Sequence, residues 1–230
     1  MGDYNQFLWV KKNVDIIKSP VLEIGSRKYS DATFNNFRAL LSEGSHYLGC
    51  DMQNGDNVDM IIDFTEDIDL IKEKLGGLDI KTVICCSVLE HVDKPWVFAD
   101  NLSSLLKPGA VIFMSVPFVW EFHGYPSDYW RFTPKAVEKL FEKFDFPEKL
   151  RTISSNVNGD MQGFKDNPND FIEPGTGDAI EFESNLLKRW LYKTGKLLTD
   201  KSYRMRYITS KFTSSNRYKK CCINMVGIRR

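Results

Sequence analysis

Apolar positions along the chain fall into two alternating registers. Short runs that are apolar nearly throughout, such as "YLGCD" from Tyr47, "TVICCSVL" from Thr82 and "AVIFMSVPF" from Ala110, are separated by longer stretches in which apolar residues recur every three or four positions. The short runs predict strands and the longer ones helices. A helix over "YNQFLWVKKNVDIIK" precedes a first strand, "PVLEIG", with Pro20 at its leading edge, where a missing N–H does little harm. A helix over "TFNNFRALLSEG" ends at Gly44, and "SHYLGCD" and "NVDMIIDF" follow as second and third strands. "IDLIKEKLGG" is a helix stopped by two glycines, "KTVICCSVL" a fourth strand, "KPWVFADNLSSLLKPGA" a helix ending in a Pro-Gly turn, and "AVIFMSVPF" a fifth strand. "TPKAVEKLFEKF" opens as a helix with Thr133 as N-cap and Pro134 at the first helical position. "EKLRTISSN" and the terminal "CCINMVGIRR" bring the strands to seven.

Strands apolar on both faces, alternating with helices, predict an α/β fold: a doubly wound, mostly parallel seven-stranded sheet covered on each side. A chain of 230 residues suits a single domain over 1–230. Between the last two strands, a polar half rich in Gly, Asn and Asp and a helical half make 155–217 an insertion or cap within that domain. Sheets of this kind bind ligands beyond the carboxyl ends of their strands, near the point where strand order reverses.

Composition narrows the class. Hydrophobic content of 42% and charged content of 27% are those of an ordinary globular protein. No apolar run approaches the roughly 20 residues that span a bilayer. The start lacks the order of a signal peptide, and Gln6 breaks the myristoylation pattern, so a cytoplasmic location is expected. Cys50, Cys85, Cys86, Cys221 and Cys222 lie inside apolar runs without C-x-x-C or Cys/His spacing. They are expected as core thiols, neither disulfides nor metal ligands, and no metal is expected. Net charge is zero, yet 186–230 carries 13 Lys and Arg against Asp200 alone, so this stretch is +12 and the remainder −12. Such asymmetry points either to an anionic partner, such as nucleic acid or a membrane surface, or to a solvated basic face lying near the acidic body.

Function is expected at the strand ends. The first offers Glu23, Gly25, Ser26 and Arg27; the second ends at Asp51, followed by Met52; the third ends at Asp63, followed by Phe64. A carboxylate after the second strand is the usual way to hold both ribose hydroxyls, and Asp63 beside Phe64 suits an adenine's amino group and face. Each acid alone reads equally well as a turn cap; three in register describe a nucleoside pocket. "GSRKYSDA" lacks the glycines of G-x-G-x-x-G, which disfavours a diphosphate and favours a nucleoside without one, such as S-adenosylmethionine.

These segments together resemble the class I S-adenosylmethionine-dependent methyltransferases. "VLEIGSR" is similar to their first motif, "YLGCDMQ" to their ribose-binding strand, "MIIDFTED" to their adenine-binding strand, and "VICCSVLEHVDKPWVFADNLSSLLKPGAVIFMSVP" to their fourth through fifth strands. The resemblance covers about 20–144 and returns in the terminal strand. It implies a Rossmann-like methyltransferase fold with S-adenosylmethionine as cofactor. Glu23 and Gly25, with Ser26 and Arg27 on the same turn, would meet the methionine moiety. Asp51 would hold the ribose, Met52, Asp63 and Phe64 the adenine, and Cys86 with Ser87 would form the floor beneath the sulfonium. Arg27 stands where the family usually has glycine.

"PFVWEFHGYPSDYWRFTP", after the fifth strand, resembles the H-x-x-P-x-D-Y-W-R-F-T segment of type 11 methyltransferases found with bacterial surface-glycan biosynthesis. The resemblance implies a small-molecule or glycan acceptor. Methyl transfer is an in-line displacement that the protein aligns, with a base added when the nucleophile is a hydroxyl. The catalytic candidates are His91, His123 and Asp128, the last as base or as orienting carboxylate. Arg131 would hold an anionic group of the acceptor, and Tyr129 and Trp130 would stack on it. The plainer alternative is a structural loop in which Arg131 pairs with Asp128 and His91 merely opens a helix. The sequence lacks the N/D-P-P-Y/F segment of DNA amine methyltransferases. The basic stretch keeps an RNA or protein acceptor open, and Arg27 keeps open a catalytically silent cofactor-binding module.

Overall fold

Nine strands and four helices follow one another in the described parts of the chain. The strands are β1 (Val21–Ile24), β2 (Tyr47–Asp51), β3 (Met60–Ile61), β4 (Thr82–Cys86), β5 (Val111–Val119), β6 (Phe144–Asp145), β7 (Arg151–Ser155), β8 (Met161–Gly163) and β9 (Cys221–Arg229). The helices are α1 (Tyr4–Lys12), α2 (Ile68–Lys74), α3 (Pro95–Leu105) and α4 (Pro134–Leu140). The computed structural model describes residues 4–28, 36–124, 127–155, 159–164 and 220–230. Most of the 155–217 insertion, and with it most of the basic stretch, lies outside the described residues.

The strands form one sheet in the order β3-β2-β1-β4-β5-β9-β7-β8, with β6 also on β9. β1 pairs in parallel with β2 and β4, so Glu23 lies between Gly49 and Ile84. β3 and β5 extend the parallel half outward on either side. β9 pairs antiparallel with β5, β6 and β7, and β8 is antiparallel to β7. The order therefore reverses between β1 and β4, at the place where a ligand crevice is expected. The expected parallel arrangement holds for the first five strands. The count is nine rather than seven because β6 and β8, of two and three residues, are too short to leave a hydrophobic period.

Alternation along the strands sends Val21, Ile84, Cys86, Val111, Phe113 and Val226 to one face, where they join Trp9 and Val10 of α1 and Phe37 in a single cluster. Leu22, Val83, Cys85, Ile112 and Met114 point the other way and are buried too. This leaves α2, α3 and α4, which carry the buried Ile71, Phe98, Leu102 and Val137, to cover the second face; α3 packs on both α2 and α4. The five cysteines are buried and outside any disulfide, as expected of core thiols. Burial pushes the Cys50 thiol up to about 12 and Cys221 up to about 11, so neither is a thiolate near neutrality.

Local signals explain most boundaries. The Thr133 hydroxyl accepts from the Ala136 N–H at 3.1 Å and starts α4 with Pro134 in its first turn. α2 is stopped at Gly76 and Gly77, both at positive φ. The helix expected over "TFNNFRALLSEG" is corrected: its described part is one 3-10 turn, Phe37–Leu40, capped by the Asn36 side chain accepting from Ala39 N, after which Leu41 is extended. Asn36 competes for the backbone at the turn's start, and only Phe37 is buried there, so little packing rewards a longer helix.

Phe113 is fully buried at the centre of β5, with its ring edge-on to Trp9 at 5.3 Å and 65°. Phe113→Ala is expected to cost about 3–5 kcal/mol of stability, read from urea denaturation. A loss below about 1 kcal/mol would show that α1 does not seal this face.

Candidate active site

The parallel strands aim their carboxyl ends at one rim of the sheet. β1 turns at Gly25, whose φ of +76° a side chain would disfavour. Gly25 and Ser26 both donate their backbone N–H to Cys50 O, at 2.8 and 3.1 Å, which folds the turn onto the end of β2. The Ser26 hydroxyl donates to Asn57 O at 2.9 Å, and the Asn57 side chain returns a bond to Ser26 O at 2.9 Å. A Cβ at Gly49 would lie 2.5 Å from Asn57 O and 2.9 Å from Ser26 Oγ, so glycine there is what lets the two loops meet. Gly49 and Asn57 left no chemical signal in the sequence and were not among the expected site residues.

Arg27 reaches across to the loop after β2. Its guanidinium donates to the Gln53 side chain, and its stem lies along Gly55. Asp51 is buried at the end of β2 with one oxygen accepting from Gln53 N at 2.9 Å, and Met52 beside it is half exposed. Asp63 closes a turn by accepting from the N–H and hydroxyl of Thr65 at 2.8 and 2.7 Å. Phe64 is buried edge-on against Phe98, so its ring belongs to the core. Cys86 is buried as well, while Ser87, with φ +54°, is the partly exposed residue at the end of β4.

Glu23 is fully enclosed and accepts a hydrogen bond from the Tyr47 hydroxyl. Burial pushes its carboxyl up to about 7, although the tyrosine bond works the other way. Gln6, from α1, donates to the hydroxyls of Ser87 and Ser115 at 2.9 and 2.7 Å, and so brings the amino-terminal helix to the same rim. In the sequence Gln6 carried no functional signal.

The second half of the site is built by the loops after β4 and β5. The Asp128 carboxylate binds the Arg131 guanidinium through both oxygens and accepts the His123 backbone N–H at 2.8 Å. Arg131 holds Asp128 down to about 2. A carboxylate so low is a poor base, and its bonds to Arg131 and to the His123 backbone hold this loop in place. Arg131 also donates to Glu121 O at 2.8 Å, which leaves its guanidinium engaged within the protein rather than presented to an acceptor. Tyr129 and Trp130 donate their backbone N–H to Glu90 O at 2.8 and 3.3 Å, locking the two loops together. The Trp130 indole donates to Val92 O at 2.8 Å, and its ring meets that of Trp96 at 6.3 Å. Tyr129, Trp130, Trp96 and Phe122 are exposed apolar surface beside this loop.

His91 and His123 meet edge to face at 5.0 Å. Burial holds the His91 imidazole below its ordinary value. Glu90, 1% exposed, lies beside them with its carboxyl pushed up to about 7 by burial. One donor atom from each of Glu90, His91 and His123 lies within 4.8 Å of the other two. Glu90 was absent from the expected site; the signal available was its place in "LEHV", one residue before a candidate histidine.

Neither a family model nor a curated protein matches the chain. Solved structures do. An S-adenosylmethionine-dependent methyltransferase from Archaeoglobus fulgidus superposes with a TM-score of 0.53 at 16% identity, over 97% of this chain and 92% of that one. Phosphoethanolamine N-methyltransferase 2 of Haemonchus contortus matches at 0.48 and 13%, over 98% and 52%; magnesium protoporphyrin IX methyltransferase of Synechocystis matches at 0.43 and 16%, over 68% and 73%. The fold of this chain is that of the Archaeoglobus enzyme: a Rossmann-like α/β methyltransferase fold.

Glu23 has a consequence for stability. Unfolded, the carboxyl ionises near 4.5; folded, near 7, so the folded state holds the proton longer and stability is lost as pH rises through that window. Glu23→Gln removes this contribution. The stability of the variant minus that of the parent is expected to rise by about 3 kcal/mol from pH 4.5 to pH 7 in urea titrations, and a constant difference would contradict the burial argument.

Proposed function

We propose that the protein is an S-adenosylmethionine-dependent methyltransferase acting on a hydroxyl of a small molecule, sugar or glycan intermediate. The observation that carries this reading is the convergence at one rim of the Gly25 turn, Asp51 and Ser87, on a sheet whose order reverses between β1 and β4, with a His-rich loop pair beside them. Asp51 would accept both ribose hydroxyls. The Gly25–Ser26 turn, pinned to β2, would let backbone approach the methionine moiety, and Met52 would lie against the adenine.

In the reaction an acceptor oxygen attacks the methyl carbon in line with the sulfonium. The O–C bond forms as the C–S bond breaks, leaving S-adenosylhomocysteine, and the hydroxyl proton is lost at the imidazole pair His91 and His123. Asp128 contributes by holding His123 in place through its backbone. Exposed Tyr129, Trp130 and Trp96 offer flat faces to a sugar ring. The link to surface glycans rests on the motif resemblance around His123–Thr133.

Calorimetry with S-adenosylmethionine and an assay of S-adenosylhomocysteine release over a panel of nucleotide sugars and glycans test this. Asp51→Ala is expected to weaken cofactor binding about 10–100-fold, the worth of charge-assisted hydrogen bonds. His123→Ala should leave cofactor binding intact and lower turnover at least about 100-fold. A parent chain that binds no S-adenosylmethionine would overturn the reading.

A further inference from the structure

We propose that Glu90, His91 and His123 form a binding site for one divalent transition-metal cation. The donors come from two loops, after β4 and after β5, and their ligand atoms already lie within 4.8 Å of one another. Two donors bound to a tetrahedral ion at about 2.1 Å stand roughly 3.4 Å apart, so capture requires a contraction of at most about 1.4 Å. The His123 ring, a third exposed, has room to make it.

Hydrogen bonding prepares both imidazoles. His91 Nδ1 lies 2.6 Å from Ser127 O and His123 Nδ1 lies 2.9 Å from Glu121 O. A carbonyl only accepts, so each Nδ1 carries the proton, and in the neutral ring the Nε2 lone pair is left for a ligand. Metal-binding histidines are oriented in this way, by donating the far N–H to a backbone carbonyl. Asp128, with an oxygen 3.3 Å from His123 Nδ1, reinforces the same tautomer.

Glu90 supplies the independent observation. Its side chain is 1% exposed, and among the described residues Oε2 has no hydrogen-bond partner. Its other oxygen is 3.8 Å from His91 Nε2, too far for a hydrogen bond. Asp128 has already taken Arg131. A buried carboxylate oxygen without a partner is costly, and a cation placed between Glu90 and the two imidazoles would supply what Oε2 lacks. Two imidazoles and one carboxylate select the zinc, cobalt, iron and manganese class over calcium or magnesium, and they leave at least one coordination position open.

Occupancy does not depend on the methyl-transfer reading. Only its consequence rests on that reading: with the ion bound, the histidines act as ligands in place of taking the proton, and a hydroxyl at the open position would lose its proton to water at lower pH.

The test uses the tag-free full chain, stripped with a chelator and titrated with Co2+ alone, followed by visible absorbance and then by Zn2+ displacement. One equivalent with ligand-field bands is expected, with binding weakened at least about 10-fold in Glu90→Gln and in His123→Ala and unchanged in His46→Ala. Absence of bands, or equal binding by the parent, Glu90→Gln and His123→Ala, would overturn the site. Circular dichroism monitors folding, and if Glu90→Gln fails to fold, the partly exposed His123 decides. S-adenosylmethionine calorimetry on the same stripped chain reads the methyl-transfer proposal separately.

Discussion

The Asp128 carboxylate is the constraint on which the candidate site depends. Its oxygens take the forked Arg131 guanidinium and the His123 backbone N–H, and Arg131 reaches on to Glu121 O. Three points of a loop that lacks regular structure are thereby held to one buried group. Two-pronged Arg–carboxylate bonding is directional as well as strong, and removing one partner of a buried pair leaves the other uncompensated. The neighbouring bonds from Tyr129 and Trp130 to Glu90 O then carry that order across to the loop after β4. Together with the His123 Nδ1 bond to Glu121 O, the clamp keeps His123 beside His91.

A second polar chain performs the same service under the sheet. Gln6 donates to Ser115, the Ser115 hydroxyl donates to Asn224 at 2.5 Å, and Asn224 donates to Ser154 at 3.0 Å and Thr152 at 3.2 Å. These groups link α1, β5, β9 and β7 across a largely apolar face. Buried polar atoms tolerate few alternative arrangements, so a satisfied chain of this kind sets the position of α1 more sharply than apolar packing would. It also explains why Ser87 can occupy a left-handed conformation: its N–H is bonded to Ser115 O at 2.9 Å and its side chain to Gln6. Strain of this sort gathers where a fold presents a functional rim.

The alternation of strands and helices, the parallel first half of the sheet and the rim where its strands end were legible, because near-continuous apolar runs such as "TVICC" survive only when both faces are covered. The turn at Gly25, the acids at Asp51 and Asp63, and the pairing of Asp128 with Arg131 as one of two alternatives could be read in the same way. Others could not. Phe64 follows a candidate acid in the chain, yet its ring turns into the core against Phe98. Arg27 stands where the motif that the first strand resembles has glycine, yet it lies on Gly55 and bonds Gln53, a residue brought near only by the β1–β2 pairing.

Local chemistry determined by sequence alone therefore extends to what each strand and turn can be, since period, capping and glycine conformations act over a few residues. It extends to the residue types available at the strand ends as well. What tertiary structure alone decided is which of those groups face one another: Glu90 with His91 and His123, Glu23 with Tyr47, Gln6 with Ser87 and Ser115. Those encounters depend on desolvation and on distances across elements far apart in the chain, and neither quantity has a local signature. The carboxyl of Glu90 shows this most plainly, for its burial and the lack of a hydrogen-bond partner at Oε2 among the described residues arise only when the loops pack together.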